Sequence, residues 1–426
     1  MMTAAVVALI LACLFLGAPV FCVFAAAALW GWHTEGSSLS VVGTDLFRLS
    51  SNFILITIPL FTFAGYLLGE SNAPRRLVRF SRAFFGWMPG GLAMVSVIVC
   101  ALFTAFTGAS GVTIVALGAL LFPALLEDRY SENFSLGLVT TGGSLGLLFA
   151  PSVPLILYGV ITETPVFDMF LAGALPGALM VIVLCVYSVI LANRTGIERS
   201  PPRWKDMGEA LWEAKWEAPL PLVVLGGIYG GLLTVSEAAA MTAFWALVAE
   251  VLIYREISPA QLKRVIRESM VMVGGILIIL AAAMASTNYF IDVDVPSILF
   301  DFIQGFVSSK IVFLILLNLF LFVLGMILDI FSALVVVVPL IMPIAAEYGI
   351  DDVHLGIIFL ANMQIGYLTP PLGMGLFISS YRFDRGIFKI TLACLPFIGM
   401  LIGSVLVITY WADLSLFLVR TIGGSG

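Results

Sequence analysis

The sequence predicts an all-α polytopic membrane protein made of two repeats of inverted topology. Each repeat contains a re-entrant helical hairpin and an unwound transmembrane helix. Composition gives the first reason: 61% of the 426 residues are hydrophobic and only 11% are charged, with a mean hydropathy of +1.12. Soluble proteins carry about a quarter charged residues. Long apolar runs give the second. Leu92–Leu126 and Ile311–Leu328 contain no charge, and a membrane span needs about 20 apolar residues. The third is an internal spacing. Pro123 and Pro343, Gly146 and Gly366, Pro151 and Pro371, and Pro176 and Pro396 are each 220 residues apart (343 − 123, and likewise for the others), the mark of a duplication.

The most polar stretch, Asn193–Glu217, divides the chain. It gives a first repeat over 1–193, a cytoplasmic amphipathic connection over 194–217, and a second repeat over 218–426. Each repeat opens with short apolar stretches broken at "LGAP" (Leu16–Pro19) or "LTVSEA" (Leu233–Ala238). The apolar N-terminus lacks a basic leader segment and reads as a retained membrane segment. Single spans follow at Phe53–Leu68 and Met270–Ala285. Next come hairpins over about 91–127 and 311–347, interrupted at "TGASG" and "GMILD", and broken helices over about 134–161 and 355–380.

Basic residues set the orientation. Arg75, Arg76, Arg79 and Arg82 mark one cytoplasmic connection, and Arg194, Arg199, Arg203, Lys205 and Lys215 the middle one. Arg255, Lys263, Arg264 and Arg267 mark a third, and Arg382, Arg385 and Lys389 a fourth, whereas Tyr289–Asp301 carries only acids. Both hairpins fit this pattern only if the first enters from the cytoplasm and the second from outside. The charges of the middle connection read as a solvated surface, with Trp204, Trp212 and Trp216 at the headgroups.

Irregular backbone at membrane depth is tolerated where protein or a watery cavity satisfies it. Four such breaks can converge on an ion and substrate site, with freed carbonyls and hydroxyls coordinating a small cation. Thr104, Thr107 and Ser110 supply oxygens in the first hairpin, Gly146 and Gly366 permit close backbone approach, and Thr369 adds a hydroxyl. Such hard oxygens suit Na⁺, and no transition-metal set is expected. Asp329 is the one charge between Phe322 and Pro343. It reads as a functional carboxylate, with a helix N-cap as the plain alternative. Glu237 reads as a helix cap, and His33 and His354 as interfacial residues. The five cysteines read as packing residues. No basic run suggests nucleic acid. Without a nucleophile–base pair, paired aspartates or a metal cluster, an intramembrane enzyme is not expected, and no cofactor beyond the coupling ion is called for.

The segments "FTAFTGASGVTIVALG" (Phe103–Gly118), "GGSLGLLFAPSVPLILYGVIT" (Gly142–Thr162), "LGMILDIFSALVVVVPLIMPI" and "GYLTPPLGMGLF" together resemble the large membrane subunit of tripartite ATP-independent periplasmic (TRAP) transporters, over essentially the whole chain. The resemblance implies an elevator-type ion transporter fold in a bacterial inner membrane. It also implies Na⁺-coupled import of a small organic acid, a small membrane subunit, a periplasmic substrate-binding protein and the lipid bilayer as partners. Carried over by position, one Na⁺ site takes Thr104, Thr107, Gly146, Phe149 and Pro151. The other takes Gly325, Gly366, Thr369 and Leu372, with Gly, Phe, Pro and Leu acting through carbonyls. Asp329, Ser110, Ser144 and Ser152 are the candidates for substrate or coupling. The family's usual "SGSS" is "TGAS" here, so Ala109 lacks a hydroxyl. Dicarboxylates, sialic acids, other sugar acids and zwitterions are all compatible. A stand-alone carboxylate symporter coupled to Na⁺ or H⁺ is the alternative.

Overall fold

The computed structural model describes residue 12 and residues 18–36, 38–196, 204–307 and 309–423. Most of the apolar N-terminus, the start of the "LGAP" break, and Arg199 and Arg203 lie outside these. Among the described residues the ordered elements are all helical. Among these residues eight helices are long and apolar enough to cross a membrane, and a pair bent by 49° at Leu117 adds a ninth.

A scaffold is formed by α1 (Val20–Thr34), α2 (Ser40–Ser50), α3 (Thr57–Glu70), and, from the second half, α12 (Pro219–Tyr229), α13 (Val235–Leu247) and α14 (Pro259–Asp292). Small residues let these helices approach closely: Ala28 on α1, Ala238, Ala239 and Ala246 on α13, and Ala283 and Ala285 on α14 are buried. Ser286 Oγ donates to Phe24 O across 2.6 Å, tying α14 to α1. Thr234 and Glu237 form a capping box at the start of α13, so Glu237 is the cap that its sequence position suggests.

The arm helix α4 (Ala73–Phe85) leads from the scaffold into the first hairpin, α5 (Gly91–Thr107) with α6 (Ser110–Ala116) and α7 (Gly118–Glu127). Seventeen residues in α5 reach only about 26 Å, short of a full crossing. The unwound segment follows, between α8 (Glu132–Gly142) and α9 (Val153–Ile161), and then the long α10 (Val166–Thr195). After α11 (Trp204–Glu213) and the scaffold helices comes α15 (Val295–Gln304). The pattern then recurs as hairpin α16 (Lys310–Ile327) and α17 (Ile330–Glu347), broken helix α18 (Asp352–Gly366) and α19 (Met374–Phe383), and span α20 (Ile387–Tyr410), closed by α21 (Asp413–Ile422). Gly91 and Lys310, Ser110 and Ile330, Glu132 and Asp352, Val153 and Met374, and Val166 and Ile387 open corresponding helices, each pair within one residue of the 220-residue spacing.

Polar contacts at the helix ends establish the inversion. The base of the first hairpin is joined by Arg82–Asp128 at 2.8 Å. Glu132 meets Arg385 and Lys389, both at 2.6 Å, and Arg264 pairs with Glu70. These residues share one face. The base of the second hairpin is joined by Lys310 Nζ to Gly349 O and by Tyr348 OH to Val307 O, each 2.6 Å. Tyr158 OH, at the outer end of α9, donates to Asp352 O at the same base. The two hairpins therefore enter from opposite faces. Of the described basic residues only Arg48, Lys310 and Arg420 lie on the second face, which makes the first face cytoplasmic.

His354 departs from its sequence reading. It lies at the outer end of α18, but it is 4% exposed, with Nδ1 3.2 Å from Ser415 Oγ and Nε2 3.3 Å from Thr409 O. Packing of α21 over this end removes it from the interface. The middle connection also differs from a fully solvated surface. Trp212 is exposed with Lys215 Nζ 3.7 Å above its ring, but Glu217 is buried against Arg76.

Candidate functional site

At the first hairpin tip, α5 ends on Gly108 in the left-handed region (φ +64), where its N–H donates to Thr104 O at 2.8 Å. Glycine is needed twice over, because a Cβ there would also fall 2.6 Å from Val153 Cγ2. Thr104 and Thr107 are fully buried. Thr104 Oγ1 lies 2.9 Å from Gly143 O and 2.7 Å from Thr113 Oγ1, binding both hairpin arms to the start of the unwound segment. Thr107 Oγ1 has only long contacts: it lies 3.4 Å from Thr104 O and 3.3 Å from Ala109 O, and it accepts from Ala109 N at 3.5 Å. One lone pair is left for a further partner.

Gly146 lies in the unwound segment against this hairpin. A Cβ on it would sit 2.2 Å from Ala101 O and 2.5 Å from Ala105 N. Gly146 O accepts from Phe149 N at 3.1 Å and Phe149 O from Ser152 N at 2.9 Å, so each carbonyl retains a second lone pair. Ala150 and Pro151 are joined by a cis peptide, as are Pro370 and Pro371. Ser152 Oγ is buried with no hydrogen-bond partner among the described residues.

The second repeat makes the same approach. A Cβ on Gly366 would meet Gly325 Cα and C at 2.5 Å, and residue 325 occupies the place of Ala105 under the repeat spacing. Met326 O accepts from Leu372 N (3.2 Å) and Gly373 N (3.3 Å), fastening the hairpin to the segment after α18. Thr369 Oγ1 donates to Ile365 O at 3.0 Å, leaving its oxygen free to accept. The structure thus brings Thr104 and Gly146 together at one hairpin, with Thr107 at its tip and Phe149 and Pro151 further along the unwound segment, and sets Gly366 and Leu372 against Gly325 and Met326 of the other, with Thr369 in the segment between them. Both sets are neutral oxygen donors suited to Na⁺.

A cavity of about 560 Å³ lies between the two tips. Gly108, Ala109, Ser110, Asp329 and Tyr367 line it on one side, with Tyr66 and Met272 of the scaffold opposite. It reaches Glu70 and Glu268 on the cytoplasmic face, and among the described residues no Lys or Arg lines it. On the other face a cavity of about 230 Å³ is lined by the second hairpin and α14, beside the Arg48–Glu163 pair at 2.8 Å. Ser144 and Ser152 are fully buried and fall outside the larger cavity's lining. Ser144 Oγ donates to Thr141 O at 3.0 Å.

Asp329 is an N-cap. Its Oδ2 accepts from Phe331 N and Ser332 N, both at 3.0 Å, which answers how a lone carboxylate is tolerated in an apolar run. It also lines the cavity, and Tyr367 OH accepts from the next backbone N–H, that of Ile330, at 3.3 Å. Sequence reasoning missed Tyr367 and Gly65. A Cβ on Gly65 of α3 would lie 2.4 Å from Thr107 Cα, so the scaffold touches the first tip through bare backbone. A glycine facing the tip across the scaffold has no signal in one sequence.

Residues 7–414 match the family described as "Tripartite ATP-independent periplasmic transporter, DctM component". The chain is 32% identical to the C4-dicarboxylate TRAP transporter large permease protein DctM of Vibrio cholerae, covering 89% of this chain and 88% of that one. It is 31% identical to the ectoine/5-hydroxyectoine large permease UehC of Ruegeria pomeroyi, with 85% of each covered. The isethionate permease DctMQ of Oleidesulfovibrio alaskensis is 31% identical over 95% of this chain, which spans 64% of that longer protein. In structure the chain resembles the Alcanivorax borkumensis YdaH transporter, with a TM-score of 0.61, 15% identity and 89% of each chain covered. That likeness is one of fold. With its family match and its relatives in hand, the chain belongs to the DctM component family, the inner-membrane large permease subunits of TRAP transporters.

Proposed function

We propose that this permease imports a small organic acid using a Na⁺ gradient, with one Na⁺ at each hairpin and the solute in the cavity between the tips. The observation that carries this reading is the repeated contact of Gly146 and Gly366 with the hairpin arms. In both places bare backbone and threonine hydroxyls meet at a helix break, and a buried orphan hydroxyl, Ser152, lies close in sequence to the first. Neutral ligands bind a cation without exchanging a proton, which favours Na⁺ over H⁺ coupling. The named relatives carry C4-dicarboxylates, ectoines and isethionate, so an organic acid or zwitterion is the proposed solute class. A periplasmic binding protein would deliver it, and a small membrane subunit would complete the scaffold. Movement of the hairpins and broken helices past α3 and α14, as an elevator, would carry the site across.

The test is uptake into proteoliposomes holding this chain and its co-purifying small subunit. Candidate binding proteins loaded with solute are supplied outside, with a Na⁺ gradient, a proton gradient or neither. Uptake that requires Na⁺ and survives collapse of the proton gradient supports the proposal. Uptake driven equally by protons without Na⁺, or independent of any binding protein, overturns it in favour of a stand-alone symporter.

A further inference from the structure

Arg76 lies in the first turn of α4, where the arm leaves the scaffold. Its Nε is 2.5 Å from Glu217 Oε1, its Nη2 2.9 Å from Glu250 Oε2, and its Nη1 2.5 Å from Glu256 Oε1. Tyr254 stacks beneath it, 3.9 Å from ring centroid to guanidinium carbon. Side-chain exposure is 10% for Arg76, 3% for Glu217 and 0% for Glu250. One positive charge therefore faces three carboxylates in a place largely closed to water. Full ionisation would leave two negative charges uncompensated, and buried charges are retained only when paired. Carboxylates that share a site do not both ionise readily.

The hydrogen bonds single out Glu250. Glu256 Oε2 accepts from Asn72 N at 2.9 Å, and Glu217 Oε2 lies 3.2 Å from Tyr254 OH. Glu250 Oε1 is buried with no partner among the described residues. A bare ionised oxygen there is costly, whereas the carbonyl oxygen of an acid is tolerated. Glu250 Oε2 and Glu217 Oε1 both contact Arg76 Nη2, so a proton on Glu250 has an acceptor at hand. Arg79, one turn further along the arm, is engaged elsewhere and meets Glu213 and Glu209. Ser71 and Tyr254 are the neutral groups that face the pair. Glu250 also sits in a π-helical turn, Val248–Ile253, a distortion that proteins keep where a side chain must be placed.

We propose that this cluster holds one proton, on Glu250, and acts as a proton-dependent clamp that fastens the arm helix to the scaffold. Loss of that proton to water on the cytoplasmic side sets Glu250 against Glu217 and loosens the chain around Asn72–Arg76. The hairpin, joined to the arm through Gly86–Gly90, then loses its fixed pivot. Alkaline cytoplasm slows the permease by this route, whatever ion drives transport.

The full chain in nanodiscs allows two tests. Infrared spectra at neutral pH should show a carboxylic acid C=O band that Glu250→Gln removes and Glu256→Gln keeps. Hydrogen exchange of residues 71–78 in the unmodified protein, corrected for intrinsic rates, should lose protection at least about tenfold between about pH 6.5 and pH 9.5. Residues 91–107 serve as an unchanging reference, and Glu250→Gln should abolish the pH dependence. A band that survives Glu250→Gln overturns the proposal. So does pH-independent protection of residues 71–78, a result that needs no variant to fold.

Discussion

Replacing Gly366 by alanine tests the backbone contact on which the proposed second cation site depends. The new Cβ would lie 2.5 Å from Gly325 Cα and C, against 3.4–4 Å for ordinary contact. Neither partner atom belongs to a flexible side chain, so the unwound segment and the hairpin must separate by roughly 1 Å, and such overpacking costs about 1–3 kcal/mol. Met326 O, held by Leu372 N and Gly373 N, lies next to the contact, so separation also strains the fastening of Leu372. The matched control is Gly399→Ala on α20, where nothing lies within 4 Å of the added methyl; helix propensity there favours alanine by about 1 kcal/mol. Thermal unfolding of purified protein is followed across a Na⁺ titration, with choline holding ionic strength constant. A ligand at 100 times its Kd stabilises by about 2.7 kcal/mol, so the unmodified protein and Gly399→Ala should both gain stability with Na⁺. Gly366→Ala should need at least about tenfold more Na⁺, the equivalent of about 1.4 kcal/mol. Gly366→Ala that folds and responds to Na⁺ like the control would refute the placement of a cation at this contact.

Asp329 separates cap from charge: Asn keeps an N-cap oxygen, so Asp329→Asn should leave stability nearly unchanged while Asp329→Ala loses about 1 kcal/mol. If the charge also serves the cavity, Asp329→Asn should cut transport at least about tenfold, and normal uptake at low Na⁺ would leave Asp329 as a cap alone. Gly65→Ala places a methyl 2.4 Å from Thr107 Cα and should disfavour this arrangement of tip and scaffold, seen as faster labelling of a cysteine introduced at Ala109; unchanged labelling counts against a tight contact. Burial alone would raise the Glu256 carboxyl, but hydrogen bonds from Arg76 and Asn72 N, with the guanidinium charge, hold it below its ordinary value. Its stabilising share is therefore complete above the unfolded carboxylate pKa and lost as pH falls through the depressed value. Glu256→Gln should flatten that acid limb of a pH–stability curve, and an unaltered limb would exclude the contribution.

The repeat was readable because the residues that break helices are the ones that repeat. Pro151 with Pro371 and Gly146 with Gly366 carry backbone consequences that hold in any surroundings, and the broken helices are interrupted at those marks. Thr104, Thr107 and Thr369 were readable as hydroxyls at breaks, but their grouping with Gly146 and Gly366 came from the family resemblance. Charged side chains were harder. Arg76 and Glu250 are 174 positions apart, and local composition shows only polar loops. A signal did exist for Glu250, an acid within "AFWALVAEVLIY", the same cue that singled out Asp329. His354 failed for a related reason, because α21 covers it and a last helix packing back is invisible locally.

Inversion makes the asymmetry of this state informative. Under the repeat spacing Thr107 corresponds to Ile327 and Gly65 to Ala285. Thr107 is fully buried with Gly65 against its backbone, whereas Ile327 is 54% exposed. The first tip packs on the scaffold through bare backbone, whereas the second hairpin meets α14 along α17 and leaves Ile327 at its tip exposed, and the larger cavity reaches the cytoplasmic side. Two equivalent halves inserted in opposite senses cannot both be docked unless the site is closed on both faces. The proposed movement would exchange their roles, bringing Ile327 toward Ala285 and releasing Thr107 from Gly65. Small residues at both scaffold positions suit that exchange, since α3 and α14 then offer a low surface to whichever tip arrives. Such a surface would resist sliding weakly and would leave the choice of docked tip to the proposed cations and solute at the breaks. On the proposed reading the coupling would reside in the hairpin contacts with Gly146 and Gly366, while the scaffold would supply a track and, through Arg76, an anchorage for the arm.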